Sequence, residues 1–475
     1  MQHTQPLVIP QKEKPAHGDA NIALARKYAC RGPRYTSYPT APHFSESFPR
    51  ERYLDWQAET DAGTRPLSLY IHVPFCNDIC YYCACNKVVT RRRGVASDYL
   101  DRLELEIAMQ SKIVGDRRPI TQMHWGGGTP TYLDSGEMTR LMHALSRHFA
   151  LQSTAEREYA IEIDPRTVDV STIALLKGLG FNRLSLGIQD FDPRVQRAIN
   201  RIQTPESVAT LVDAAREHGF RSLSFDLIYG LPFQTVDSME ESLEDVLRLR
   251  PDRIASYNYA HLPERFSSQR AIDRLALPSP EDKLRLAELI ASTLESAGYL
   301  HIGMDHFVLP HDELAQAQSR GRLQRNFQGY SLRLAEDTLG LGVSAISQIG
   351  NFYLQNAPQL DSYYGLVDQG ELPLRRGYEM NAEDRLRRHV IMSLICDLHL
   401  NKADTGTRFG VDFDRHFADA LDALTPLAGD GLVTLGDTEL RVEPAGRPFL
   451  RNICMPFDGY LAADVASGGR FSATV

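Results

Sequence analysis

The sequence has only two tryptophans in 475 residues, no excess of positive charge and no long apolar run. Each shortage removes a class of protein. Without a window of about 18 to 20 apolar residues, no membrane-spanning helix is expected. The opening Met1-Gln-His-Thr-Gln-Pro6 lacks the basic-then-apolar order of a secretory signal, so a cytoplasmic location without membrane insertion is expected. Lysine and arginine number 52 against 61 acidic residues, a net charge of −9. A bulk nucleic-acid binder is usually basic, so that class is set aside. An anionic ligand would need a local positive pocket. Cysteines are few, seven in all, and four of them fall within ten residues: Cys76, Cys80, Cys83 and Cys85. A secreted disulfide framework spreads its cysteines, whereas one tight group reads as metal or redox chemistry.

The remaining composition, 43% hydrophobic and 24% charged, is that of an ordinary globular chain. Its length suits one large domain with smaller additions. Residues 1–60 read as an irregular N-terminal arm, loose over 11–19. Its segment Gly32-Pro-Arg-Tyr-Thr-Ser-Tyr-Pro-Thr-Ala41 is extended, and its tyrosines need something to pack on. The arm is expected to close over a large substrate, with Arg34 a candidate for meeting its charges. Over 61–370 the texture is βα. Short apolar runs at 67–73, 122–125, 159–163, 183–188, 223–229 and 253–259 alternate with amphipathic stretches at 97–114, 135–149, 170–179, 205–218, 237–249 and 280–297. A weaker seventh strand is expected at 302–308. Six units are too few for a closed eightfold barrel, so the expected α/β fold is an open, partial (βα)6 TIM-like barrel of parallel strands. Residues 371–475 read as a small α+β C-terminal domain covering the barrel mouth, with helices at 384–396 and 412–427 and a hairpin over 431–442.

The strand ends carry polar and glycine residues, where parallel α/β folds place their chemistry. Strand two runs into Gly126-Gly-Gly-Thr-Pro130, strand three into Glu162-Ile-Asp-Pro165, strand four into Gln189-Asp190, and strand five contains Asp226. The cysteine group, Phe75-Cys-Asn-Asp-Ile-Cys-Tyr-Tyr-Cys-Ala-Cys-Asn86, follows the first strand directly. Structural zinc sites usually take two separated ligand pairs, and no second pair exists here. Three thiolates at intervals of three and two residues suit an iron–sulfur cube and leave its fourth iron open. That spacing, Cys76-x3-Cys80-x2-Cys83, is the signature of radical S-adenosylmethionine chemistry. Because the open iron is required, Cys85 is expected near the cluster as a candidate catalytic residue and not as a ligand.

With Tyr70-Ile-His-Val-Pro-Phe-Cys76, the chain resembles the coproporphyrinogen-oxidase-like branch of the radical S-adenosylmethionine superfamily. The arm, Cys85, His124-Trp-Gly-Gly-Gly-Thr-Pro-Thr131, Asn326-Phe-Gln-Gly-Tyr330 and Arg451-Asn-Ile-Cys-Met455 narrow the resemblance to the oxygen-independent coproporphyrinogen III oxidases, over about residues 27 to 460. The resemblance implies a [4Fe-4S] cluster on Cys76, Cys80 and Cys83, and two molecules of S-adenosyl-L-methionine. Tyr70, Gly127, Glu162 and Ile346 match contacts to the first, and Tyr82, Gly128, Thr129, Gln189, Arg201, Asp226 and Ala260 match the second. It further implies the substrate coproporphyrinogen III, whose propionates lose CO2 after a 5′-deoxyadenosyl radical removes a hydrogen atom. That C–H bond is unactivated, so no side-chain base could take its proton. A flavodoxin- or ferredoxin-like electron donor, an unidentified acceptor and a monomer complete the expectation. A haem chaperone of the same branch and a radical methyltransferase or cyclopropanase are the alternatives. The run Arg91-Arg-Arg93 is a second candidate for the substrate's carboxylates.

Overall fold

The computed structural model describes residues 18–60, 65–466 and 471–474; the stretch 11–19 lies outside them except for its last two residues. Six strands of the expected array form where the alternation placed them: β1 (Leu67–Val73), β2 (Pro119–Gly127), β3 (Glu158–Ile163), β4 (Arg183–Gln189), β5 (Ser222–Tyr229) and β6 (Arg253–Asn258). In each, every second side chain packs outward. Leu67, Leu69, Ile71 and Val73 of β1, and Leu223, Phe225 and Leu227 of β5, are buried in the main core. The helices between them are α1 (Gly94–Val114), α2 (Ser135–His148), α3 (Val170–Gly178), α4 (Pro205–Glu217) and α5 (Val236–Leu249), and α6 (Pro280–Ser296) follows β6. The starts of α2 to α6 are set by side-chain caps: Asp134 in a capping box with Glu137, then Asp169, Thr204, Thr235 and Ser279; α1 starts without one.

The parallel array has a seventh member, but not the expected one. Residues 302–308 fall in an antiparallel hairpin of β7 (Leu300–Gly303) and β8 (His306–Val308), with β8 lying antiparallel on β6. Gly303 and Met304, at φ 146° and 54°, turn the chain back within three residues. A parallel partner for β6 would need a full crossover there. Two strands that form a separate hairpin, β9 (Leu323–Asn326) and β10 (Gly329–Leu332), come next. The seventh parallel strand is β11 (Asp337–Leu341), which pairs with β1 at the other side. The antiparallel β12 (Ile346–Ile349), β13 (Phe352–Asn356) and β14 (Leu374–Glu379) extend the sheet beyond it. The sheet runs β7-β8-β6-β5-β4-β3-β2-β1-β11-β12-β13-β14, with no pairing between its two ends among the described residues. It curls: β3 and β6 are three strand spacings apart, about 14 Å in a flat sheet, yet Arg253 Nη1 on β6 lies 3.5 Å from Glu158 Oε1 on β3.

β14 lies beyond residue 370 yet belongs to the large sheet, so we place the boundary to the C-terminal unit after it. That unit holds α7 (Ala382–Asp397), a helix at Ala418–Gly429 and the antiparallel strands Val433–Leu435 and Glu439–Val442. The arm is less irregular than its composition suggested, with helices at Gly18–Lys27 and Arg50–Glu59. Its tyrosines do have something to pack on. Tyr35 and Tyr38 are fully buried in a second core with Leu386, Ile391, Leu450 and Phe457. The Tyr35 hydroxyl donates to Asp458 (3.1 Å), and Tyr38 accepts from the Gly459 N–H (3.0 Å). Removing the arm would therefore open a core, because large aromatics bury more area than any loop contact returns. No helix among the described residues is long and apolar enough to cross a membrane.

One buried carboxyl ties α1 to the strands beyond β11. Glu106 accepts from the Tyr363 hydroxyl (2.6 Å), Asn356 Nδ2 (2.7 Å) and the Gly342 N–H (2.8 Å). Burial pushes its pKa up to about 7, against the pull of those three donors. A carboxyl raised in the folded state contributes stability that is full below its unfolded pKa and lost as pH rises through 7. Between pH 5 and pH 8 the melting temperature of wild type should therefore fall relative to that of Glu106→Gln. Parallel pH curves for the two proteins would contradict this.

Candidate active site

The cysteine loop is laced to the end of β2 by main-chain bonds. Gly128 N–H donates to Val73 O (2.8 Å), Thr129 N–H to Phe75 O (2.9 Å) and Val88 N–H to Pro74 O (2.7 Å). A short parallel pairing of Phe75–Cys76 with Val88–Val89 closes the loop. The triple glycine is what permits this approach. A Cβ on Gly128 would sit 2.5 Å from Pro74 O, and one on Gly126 2.8 Å from Glu162 Oε1. Gly127 has φ +116°, a backbone state that favours glycine. The far side of the loop is held by Asn200 Nδ2 on Ile79 O (2.7 Å), Gln269 Nε2 on Tyr82 O (2.9 Å) and Ser268 Oγ on Cys83 O (3.0 Å).

Each of the three candidate ligand thiols meets a different donor. Cys76 Sγ and Thr129 Oγ1 share a hydrogen bond of 3.4 Å. Cys80 Sγ accepts from Arg166 Nη2 (3.4 Å) and Arg201 Nη1 (3.5 Å), and Cys83 Sγ from the Cys85 N–H (3.4 Å). Burial pushes the Cys76 thiol up to about 11, while hydrogen bonding with Cys85, opposed by burial and helped by Lys87, draws Cys83 down to about 6. All seven cysteines are free. Among the described residues no three His, Cys, Asp or Glu side chains converge as ligands of a single ion. Thiols spread along one loop suit a cube that takes one thiolate per iron, so the donor set fits an iron–sulfur cluster.

Arg201 is buried at 5% exposure, which the sequence could not tell from a surface helix residue. It donates to Gly187 O and, from Nη1, to Asp164 Oδ2 (3.1 Å). Burial works against its charge, but Tyr82, Asp164 and Cys80 more than offset that and hold its pKa above the ordinary range. Burial likewise opposes ionisation of Asp164, and Arg201 and Arg166 overcome it. The alternation of β1 turns Tyr70 and His72 inward together, with the Tyr70 hydroxyl 3.1 Å from His72 Nδ1 and His72 Nε2 3.0 Å from Asn86 O. These contacts fit a neutral ring with its proton on Nε2, and burial lowers its pKa. On β3, Glu162 accepts from the Gly127 N–H (3.2 Å) and from His124 Nε2 (3.0 Å).

A cavity of about 500 Å³ opens above these groups. Tyr70, Gly127, Glu162 and Ile346 all line it, as do His72 and Cys85. A second, smaller space of about 110 Å³ lies lower in the barrel and is lined by Asp226. Asp226 accepts from Ser185 Oγ (3.1 Å), and burial, with Glu162 nearby, raises its pKa to about 7.

Residues 70–246 match the radical SAM superfamily and 380–449 the HemN C-terminal domain. An oxygen-independent coproporphyrinogen III oxidase of Pseudomonas aeruginosa is 50% identical over 438 residues, covering 92% of this chain and 95% of its own. The chain belongs to the oxygen-independent coproporphyrinogen III oxidase family. The Escherichia coli K12 oxidase is 48% identical over 443 residues, covering 93% of this chain and 96% of its own. A solved structure described as coproporphyrinogen III oxidase (HemN) from Escherichia coli, a radical SAM enzyme, superposes with a TM-score of 0.87 at 46% identity, over 92% of this chain and 98% of that one.

Against the oxidase pattern, the residues matched to the first cofactor all share one cavity. Those matched to the second are more scattered. Gly128 and Thr129 lie under the cysteine loop, and Arg201 reaches Cys80. Tyr82 packs beside Val195, Ile199, Leu231, Tyr259 and Ile272. Gln189 ends β4 at φ +68°, Ala260 follows β6 half-buried, and Asp226 faces the lower space. The basic run 91–93 does not line the cavity. Arg91 is 79% exposed on Asp78, and Arg93 is bound to Glu137 and Tyr132 O. Sequence reasoning also passed over His72, His124, Asp164 and Arg166 as site groups. The inward alternation of β1 and β2, and the strand-end position of Asp164, were signals that could have found them.

Proposed function

We propose that this chain catalyses the oxygen-independent conversion of coproporphyrinogen III to protoporphyrinogen IX, turning two propionate side chains into vinyl groups with loss of two CO2 in porphyrin biosynthesis. The observation that carries this is the cysteine loop and the cavity beside it, set in a chain that matches the oxidases over nearly its whole length. Neither relative bears the name of a haem carrier or a methyltransferase. When bound, the cluster and S-adenosylmethionine supply a carbon radical able to take hydrogen from an unactivated C–H bond.

The chain's own residues do the holding. Cys76, Cys80 and Cys83 each offer one thiolate, and Arg166, Arg201, Thr129 and the Cys85 N–H steady the sulfurs. Glu162, already an acceptor for two donors, presents a carboxylate to a cationic amino group. Ile346 and Tyr70 supply apolar and aromatic wall. Cys85 lines the cavity and serves as a non-ligand residue beside the reacting groups. Tyr82, Gly128, Thr129, Gln189, Arg201, Asp226 and Ala260 are proposed to hold a second S-adenosylmethionine. A flavodoxin- or ferredoxin-like donor supplies the electron, and a further acceptor removes one from the product side.

The test is anaerobic incubation of reconstituted protein with reductant, S-adenosylmethionine and coproporphyrinogen III. Two CO2 per tetrapyrrole and a divinyl product are expected. Methyl transfer from labelled cofactor, or stoichiometric haem binding without product, would replace this reading.

A further inference from the structure

In a chain of net charge −9, an anionic substrate needs local positive charge, and one arginine is fixed to a residue that lines the 500 Å³ cavity. Arg388 lies on α7, in the unit that follows the barrel. Its Nε donates to the Tyr353 hydroxyl (3.1 Å) and its Nη2 to Gln348 Oε1 (3.0 Å). Gln348 lines the cavity, and so does Phe327, whose ring meets that of Tyr353 edge-on at 6.5 Å. Two neutral acceptors thus fix the plane of the guanidinium beside the cavity. A guanidinium carries five N–H groups. Those left over on Arg388 have no protein partner among the described residues and are not sealed in the interior.

Two further arginines lie near Arg388. Arg333 follows β10, and Arg408 lies in the helix Lys402–Phe409. The charges of Arg408, Arg333 and Arg388 all bear on His389, whose pKa falls to about 4 through burial and then through these three. None of the three arginines forms an ion pair with a carboxylate among the described residues. The nearby Asp397, pushed up to about 6 by burial, offsets at most one of the three charges. By contrast, Arg91 and Arg93, the basic run that stood out in the sequence, are already paired with acids.

We propose that Arg388 receives a carboxylate of the substrate at the edge of the cofactor cavity, with Arg333 and Arg408 raising the local potential. The proposal rests on the function argued above. An oriented guanidinium suits a planar carboxylate better than a mobile ammonium does, because two parallel N–H···O bonds can form. The chemistry permits a lasting anchor, since two of the four carboxylates survive in the product.

The experiment measures binding apart from turnover. Cluster-loaded wild type, Arg388→Gln, Arg388→Lys and the exposed double variant Arg333→Gln/Arg408→Gln are dialysed anaerobically against coproporphyrinogen III without reductant, at several salt concentrations. Arg388→Gln should weaken binding about 10- to 100-fold, and Arg388→Lys by less, with iron content and S-adenosylmethionine binding unchanged. The double variant should keep its low-salt affinity closer to wild type and show a shallower dependence of binding on salt. Equal binding and equal salt dependence in wild type and Arg388→Gln would overturn the anchor. Tight wild-type binding without turnover would overturn the function and leave the anchor standing. No binding by wild type would overturn both.

Discussion

Cys80→Ala, purified without oxygen, should be colourless, hold less than about a tenth of the wild-type iron and sulfide, and form no product. Each thiolate of a three-cysteine site holds one iron, so two thiolates leave the cube detached at one corner and open to loss. Cys80 is the most enclosed of the three, at 9% exposure, and two arginines donate to its sulfur. Alanine would leave Arg166 and Arg201 with Asp164 as their remaining charged partner, so the pocket stays ordered although it is empty. Far-ultraviolet circular dichroism should therefore match wild type. Cys76→Ala and Cys83→Ala should behave alike. A Cys80→Ala protein with full iron content would show that another residue holds that corner. One equivalent of zinc in place of iron in wild type would remove the redox reading altogether.

Cys85→Ser should separate cluster from catalysis. Iron and sulfide should stay near wild type while product formation falls about 100-fold or more. Four thiolates would fill all four irons and leave no site for a chelating cofactor, so a fourth ligand is chemically excluded by the reaction itself. The geometry around Cys85 agrees with a side chain that faces the work. It lines the cavity with Tyr70, Gly127 and Glu162. Its backbone N–H donates to Cys83 Sγ, and its thiol also hydrogen-bonds with Cys83. Serine keeps that N–H and offers a hydroxyl donor in place of the thiol, so the loop should survive the exchange. If Cys85→Ser loses its iron as fully as Cys83→Ser does, Cys85 is a ligand and the open iron is lost. Retained iron with retained turnover would reduce Cys85 to packing.

The two arginine groups show where sequence reading succeeds and where it stops. Arg91, Arg92 and Arg93 are adjacent in the chain, so they catch attention, but adjacency on a solvated turn leaves them at the surface. Arg333, Arg388 and Arg408 lie up to 75 positions apart and come near one another only because α7 packs against β9 and the helix Lys402–Phe409. Arg201 offered the same difficulty in one residue. Its sequence surroundings are those of an exposed turn, and only the fold brings Asp164 and Cys80 to it.

The arm's tyrosines were expected to need something to pack on, and the structure supplies partners that the sequence could not name. Their partners lie more than 340 residues downstream, at Leu386, Ile391, Leu450 and Phe457. Contacts of that sequence separation leave no periodic signal in either segment.

The sequence by itself determined the cysteine spacing, the triple glycine, the six strands of the array and the capped helices between them. These depend on intervals of a few residues, where backbone geometry fixes which side chains share a face or a loop. Only the tertiary structure decided that residues 302–308 turn back as a hairpin and that β11 supplies the seventh parallel strand beside β1. It put Ile346, which only the family resemblance had grouped with Tyr70 and Glu162, in their cavity, and it alone brought Arg388 beside that cavity. Strand order and domain packing are set by which buried surfaces fit one another across the whole chain, and no local pattern encodes that choice.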